Sequence, residues 1–204
     1  MRTIPSSLAP FTAAALFAAA GVSRAQDCLW TYPAPQPQAY GVAVYHSGLQ
    51  RVLFLATSGN GLSTVQTWAW DGAAWTLLNG NGPSARSSPS VAYDSARDRV
   101  VLFGGAIASN AALSETWEWD RTNWTLSAAT GPSARFGSSA AYDAARQRTV
   151  LFGGAVSSGS GYSFFGDTWA WDGHVWSLAP TTGPSPRAWA PVAFDSLRAR
   201  TVLF

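Results

Sequence analysis

Two histidines, His46 and His174, and one cysteine, Cys28, are the imidazole and thiol groups that this 204-residue sequence offers a metal ion. They do not cluster, so no metal site and no cofactor are expected. Nucleophilic chemistry is equally thin. Gly159-Ser160-Gly161 does not lead a strand into a helix, as a serine-nucleophile elbow requires, and reads as loop composition. Gly104-Gly105 and Gly153-Gly154 lack the surround of a phosphate-binding loop and are expected to turn the chain at positive φ near an axis. The aspartates have turn positions. Asp71, Asp120 and Asp172 each follow a tryptophan where an Asp caps its own backbone, while Asp94, Asp143 and Asp195 open tight turns that end at Arg99, Arg148 and Arg200. An Asp–Arg pair closing each of those turns is expected, and no carboxylate pair is left for acid–base work.

What remains is recognition. Arg86, Arg135 and Arg187, with Trp189 just after the last, and the aromatic set Tyr162, Phe164 and Phe165 in an otherwise polar stretch are candidate ligand contacts. Exposed aromatic and arginine side chains dominate binding energy where they act. Each group has a structural alternative: the arginines could brace neighbouring units, and the aromatics could pack their own loop.

Composition narrows the classes of partner. The chain is 47% hydrophobic and 13% aromatic, which calls for a packed core. All 13 basic residues are arginine, and two of them, Arg2 and Arg24, fall in an N-terminal segment that reads as an export signal. Met1-Arg2 supplies its positive start, Leu8 to Gly21 its apolar run, and Ser23-Arg24-Ala25 the small residues before a cut at Ala25/Gln26. That run is shorter than the roughly 20 residues of a membrane span. The expected mature protein is secreted, periplasmic or on the cell surface, with no membrane segment after cleavage. Its remaining arginines equal its acids in number, which leaves no basic footprint for nucleic acid. The lone Cys28 is expected to be a free thiol or to pair outside these residues.

An internal repeat positions everything else. Gly82-Pro83-Ser84-Ala85-Arg86 returns as Gly131 to Arg135 and as Gly183 to Arg187, at spacings close to 50 residues. Tyr93-Asp94 through Val100-Val101-Leu102-Phe103-Gly104-Gly105 is answered by Tyr142 to Gly154, and a third copy runs from Phe194 to Phe204. The second half of the unit is Thr-Trp-x-Trp-Asp-x-x-x-Trp, which places Trp68, Trp70 and Trp75, then Trp117, Trp119 and Trp124, then Trp169, Trp171 and Trp176 in register. Each unit reads as four short strands: Ser88 to Tyr93, Arg99 to Phe103, Glu115 to Trp119 and Trp124 to Leu126 in the clearest copy. Period-two alternation sets two indoles on one strand face, as wedge-to-wedge packing needs. A four-stranded antiparallel sheet repeated every 50 residues is a propeller blade. The expected layout is signal 1–25, lead-in 26–34, a degenerate first blade 35–82, blades 83–131 and 132–183, and the start of a fourth at 184–204. Both histidines then fall on hairpin turns of the face opposite the long loops, Ala106 to Ser114 and Ala155 to Asp167.

The Gly-Gly pair ending strand two, the aromatic third strand, the Trp opening strand four and the Tyr-Asp-x-x-x-x-Arg-x-Val-Leu-Phe-Gly-Gly run resemble the kelch family, in its bacterial secreted form. The resemblance implies an all-β propeller of five to eight blades, so these residues are expected to be part of a longer product. It also implies a ligand face on the side of the strand two-to-three and four-to-one loops. Kelch-type propellers include copper radical oxidases resembling galactose oxidase, but a Tyr, Cys and His set at matching positions is not identifiable here. The expectation is a non-catalytic binding module for protein or carbohydrate. Two alternatives stay open: the propeller part of a larger secreted oxidase or sugar-modifying enzyme whose catalytic residues lie outside these 204 residues, and an assembly unit that pairs its open edge with another chain.

Overall fold

Short β-branched and aromatic runs bounded by Gly, Asp and Pro become strands in the computed structural model, which describes residues 35–204 except 60, 109, 129, 181 and 182. The expected signal 1–25, the lead-in 26–34 and Cys28 lie outside the described residues. The first sheet is β1 (Tyr40–His46), β2 (Arg51–Ser58), β3 (Gln66–Trp70) and β4 (Trp75–Asn79); the second is β5 (Ser90–Asp94), β6 (Arg99–Phe103), β7 (Thr116–Trp119) and β8 (Trp124–Ala128). Next come β9 (Ser139–Asp143) and β10 (Arg148–Phe152), a separate hairpin of β11 (Ala155–Ser158) and β12 (Gly161–Phe164), and then β13 (Thr168–Trp171) and β14 (Trp176–Leu178). The chain closes with β15 (Val192–Asp195) and β16 (Arg200–Leu203). Strands β9, β10, β13 and β14 form the third four-stranded sheet, and β15 with β16 a two-stranded one. Every pairing is antiparallel.

This is the expected all-β blade architecture, with β1, β5, β9 and β15 as successive first strands packed side by side. The loop expected at Ala155 to Asp167 differs: it contains the β11–β12 hairpin, whose alternation turns Tyr162 and Phe164 to the same side.

The seams between sheets are built from the repeated tryptophans. Trp119 and Trp171 are fully buried and Trp124 is 9% exposed. Trp119 and Trp124 of the second blade pack with Leu53, Leu55, Val65 and Ala69 of the first. The strand-four indoles of the second and third sheets also reach back one blade, since Trp124 Nε1 donates to Thr67 Oγ1 at 2.9 Å and Trp176 Nε1 to Thr116 Oγ1 at 2.8 Å. A glycine makes room for the second of these, because a Cβ on Gly131 would lie 2.4 Å from Trp176 Cδ1.

The glycine pairs do what was expected. Gly104, Gly105, Gly153 and Gly154 all have positive φ, between 66° and 105°. They also admit the neighbouring blade: Gly105 N donates to Arg135 O and Gly154 N to Arg187 O, both at 2.9 Å. A Cβ on Gly153 would stand 2.3 Å from that Arg187 carbonyl.

The turn aspartates divide. Asp71, Asp120 and Asp172 accept from the amides two and three residues on, which holds their carboxyls below the ordinary range. The expected pairs Asp94–Arg99, Asp143–Arg148 and Asp195–Arg200 are corrected to Asp94–Arg97, Asp143–Arg146 and Asp195–Arg198. Each carboxylate accepts turn amides through Oδ1, which leaves Oδ2 toward the arginine three residues on. Arg99 and Arg148 instead stand where they act electrostatically on Asp120 and Asp172.

Candidate functional site

The strand four-to-one and two-to-three connections share one face of the molecule, as expected, and two of the three candidate arginines there are internal. Arg86 is 1% exposed and Arg135 0%. Arg86 donates to Ser84 O, Gly104 O and Glu115 Oε2, and Arg135 to Ser133 O, Gly153 O and Asp167. The guanidinium of Arg135 also lies 3.8 Å over the ring of Phe165. The expectation that Arg86 and Arg135 touch ligand is therefore corrected: buried carbonyls and an acid use their donors, and each guanidinium ties the glycine pair of its own blade to the start of that blade's third strand. Phe165 turns inward with Arg135 and leaves the exposed aromatic set. Arg187 is half-buried and donates to the carbonyl and hydroxyl of Ser185.

The acids in these braces were not singled out in the sequence. Burial alone would raise Glu115, yet hydrogen bonds from Trp117 Nε1 (2.9 Å) and Arg86 hold its carboxyl below the ordinary range. Asp167 behaves alike, with burial outweighed by Arg135 and by Trp169 Nε1 at 2.7 Å. In the first blade Gln66 takes the acid's place and accepts from Trp68 Nε1 at 3.1 Å, while Gln38 takes that of the arginine. The signal available in the sequence was this joint replacement: Arg and acid are present together or absent together.

With the arginines accounted for, the exposed chemistry is aromatic and hydroxylic. Tyr162, Phe164 and Trp189 are 56%, 48% and 53% exposed. The structure brings them together: the ring centroid of Tyr162 lies 6.0 Å from Trp189 and 6.5 Å from Phe164, with Phe136 beneath at 5.7 Å from Tyr162 and 6.2 Å from Trp189. Beside them opens a recess of about 560 Å³ between the leading ends of the first strands, lined by Tyr40, Thr57, Ser58, Ser87, Ser88, Ser138, Ser139 and Trp189 among others. None of the described residues that line it carries a formal charge.

Ser88, Gly137 and Trp189 hold one structural position, two residues after each blade's arginine. All three have left-handed backbones, with φ of 49°, 64° and 56°. They pass a hydrogen bond from blade to blade, since Gly137 N donates to Ser88 O at 2.8 Å and Trp189 N to Gly137 O at 2.7 Å.

On the opposite face His46 is buried, its Nδ1 accepting from Leu49 N at 3.2 Å and its Nε2 standing 3.4 Å from Asp98 Oδ1. Its ring stacks on Tyr93 at 4.0 Å. Tyr93 donates to Asp98 at 2.8 Å, and Arg121 pairs with the same carboxylate at 2.7 Å. His174 is exposed on another turn. Among the described residues no three His, Cys, Asp or Glu side chains are grouped to hold a metal ion.

No family model matches the sequence, and no curated protein matches it. Among solved structures, YjhT, a kelch-type β-propeller protein, superposes with a TM-score of 0.56 at 16% identity, over 68% of this chain and 44% of that one. A fucose lectin from Kordia zhangzhouensis, solved with methyl-fucoside, gives a TM-score of 0.43 at 15% identity, over 69% of this chain and 97% of that one. The chain thus spans less than half the length of YjhT, and what the two share at this identity is the fold: four-stranded antiparallel blades of β-propeller type.

Proposed function

We propose that this protein is an exported kelch-type propeller that serves as a non-catalytic binding module, taking a protein or carbohydrate ligand on the face of the strand two-to-three and four-to-one loops. The observation that carries the reading is the exposed patch of Tyr162, Phe164 and Trp189, drawn from two separate loops to one place beside a recess. Exposed aromatic groups on a rigid β scaffold are the arrangement that binding loops use. The charged groups of the same face, Arg86 with Glu115 and Arg135 with Asp167, are paired with each other inside their own blades, which favours recognition over catalysis. Export rests on residues 1–25, and N-terminal sequencing of the secreted product should begin at Gln26.

The test is a screen of the immobilised protein against paired arrays of glycans and of extracellular proteins. Binding should fall at least tenfold in a Tyr162→Ser, Phe164→Ser double variant whose melting temperature is unchanged. Binding indifferent to that variant would remove this face from the reading.

A further inference from the structure

From the axial recess we infer a more specific occupant: a neutral sugar ring, laid with its C–H face on the indole of Trp189 and its hydroxyls toward the serine-lined wall. This rests on the binding-module reading and narrows it.

The argument begins with the backbone of Trp189. A left-handed conformation at this position is a property of the repeat, because Ser88 and Gly137 adopt it too and the inter-blade hydrogen bond runs through it. Serine and glycine therefore suffice for the structural task. A bulky aromatic residue at positive φ is strained, and strain retained without structural need marks function. The indole is also given a seat, since a Cβ on Gly137 would stand 2.7 Å from Trp189 Nε1 and 2.8 Å from Cε2. One blade has thus kept a residue with no side chain where the next lays down its largest one, and more than half of that residue stays open to solvent.

The rest of the recess defines the ligand. Tyr40, 68% exposed, stands on the first blade, and Ser58, Ser87, Ser88 and Ser139 also line the recess; the Ser87 and Ser139 hydroxyls donate to Ala106 O and Ala190 O, which leaves their oxygens as acceptors. Aromatic faces with small hydroxyl groups match a polyhydroxylated ring that has one apolar face. Among the described residues the lining holds no cation for a carboxylate and no acid for an amine. The nearby arginines, Arg86 and Arg135, are buried in their own ion pairs. Moving a carboxylate into this recess would strip its water without a compensating charge, so uronic and other acidic sugars are disfavoured.

The experiment is a calorimetric titration of the whole protein with neutral methyl hexopyranosides and with the corresponding methyl hexuronides, beside the glycan and protein arrays. The neutral glycosides should bind, and the hexuronides at least tenfold more weakly. Trp189→Gly should abolish binding while leaving the melting temperature equal or higher, and Gly137→Ala should weaken it by displacing the indole. A Trp189→Gly variant that melts lower and still binds sugar would make the indole structural and overturn the inference, as would hexuronides binding as well as neutral sugars. Protein ligands alone, sensitive to Tyr162 and Phe164, would overturn the inference and leave the binding-module reading standing. Silence on both arrays would overturn both.

Discussion

Trp119 and Trp171 occupy the same register position in successive blades, are equally buried, and differ in one bond. Trp171 Nε1 donates to Glu118 Oε1 at 2.7 Å, whereas Trp119 Nε1 has no partner, because Ala69 stands where Glu118 stands one blade later. Truncating either side chain opens a large cavity, and Trp119→Ala should cost about 3–5 kcal/mol in urea unfolding. Replacement by phenylalanine separates the two. Trp119→Phe removes only volume, while Trp171→Phe also strips a donor from a buried carboxylate and should cost about 1–2 kcal/mol more. Equal losses would mean that the Glu118 hydrogen bond contributes nothing. The packing role of the indoles was legible from period-two alternation, but Glu118 was not. An acid alternating with tryptophans reads as the wet face of a strand, and only the next blade covers it.

Two neighbouring seams show how one repeat tolerates different chemistry. Between the second and third blades, Asp94 pairs with Arg97, Arg97 with Glu118, and Glu118 accepts from Trp171. Between the first and second, His46, Leu49 and Ala69 stand at the corresponding positions. Ala69→Glu alone should destabilise by burying an unpaired charge, and adding Leu49→Arg and His46→Asp should recover most of the loss. A triple variant no better than the single one would refute the equivalence of the seams. The histidine also makes the first seam sensitive to acid. Burial holds the His46 pKa below 6.5, with Arg121 acting in the same sense and Asp98 opposing it. Protonation at Nδ1 would place a proton against the Leu49 amide that Nδ1 now accepts from. Above pH 6.5 both folded and unfolded chains carry the neutral ring; below it the unfolded chain binds the proton first, so stability declines as pH falls from 6.5 toward the folded-state value. Urea midpoints compared at pH 7.5 and 5.5 should fall for the wild type and stay level for His46→Gln.

At the scale of the whole molecule, stability should be graded from seam to edge. The four-stranded sheets share buried tryptophans across their seams, whereas β11–β12 is exposed on most of its residues and β15–β16 is a pair of half-buried strands. Hydrogen exchange should therefore be slowest in β5, β6, β9 and β10 and fastest in β11, β12 and β16. Uniform protection would mean that the blades unfold as one unit.

The sequence by itself determined the strands of the repeating four-stranded unit, the 50-residue period and the aspartate turns, though not the β11–β12 hairpin, because each follows from local rules of alternation, φ and backbone capping within a few residues. The candidate site was half legible. Tyr162, Phe164 and Trp189 could be named in advance, yet their meeting beside one recess depends on contacts between blades. The fate of the arginines was decided by tertiary structure alone. Arg86 and Arg135 look like surface residues in a Pro-Ser-Ala-Arg turn, but the glycine pair of their own blade and the acid opening its third strand, nearly 30 residues away or more, supply the partners that let a guanidinium be buried. A turn motif carries no information about which carbonyl the fold will set opposite it.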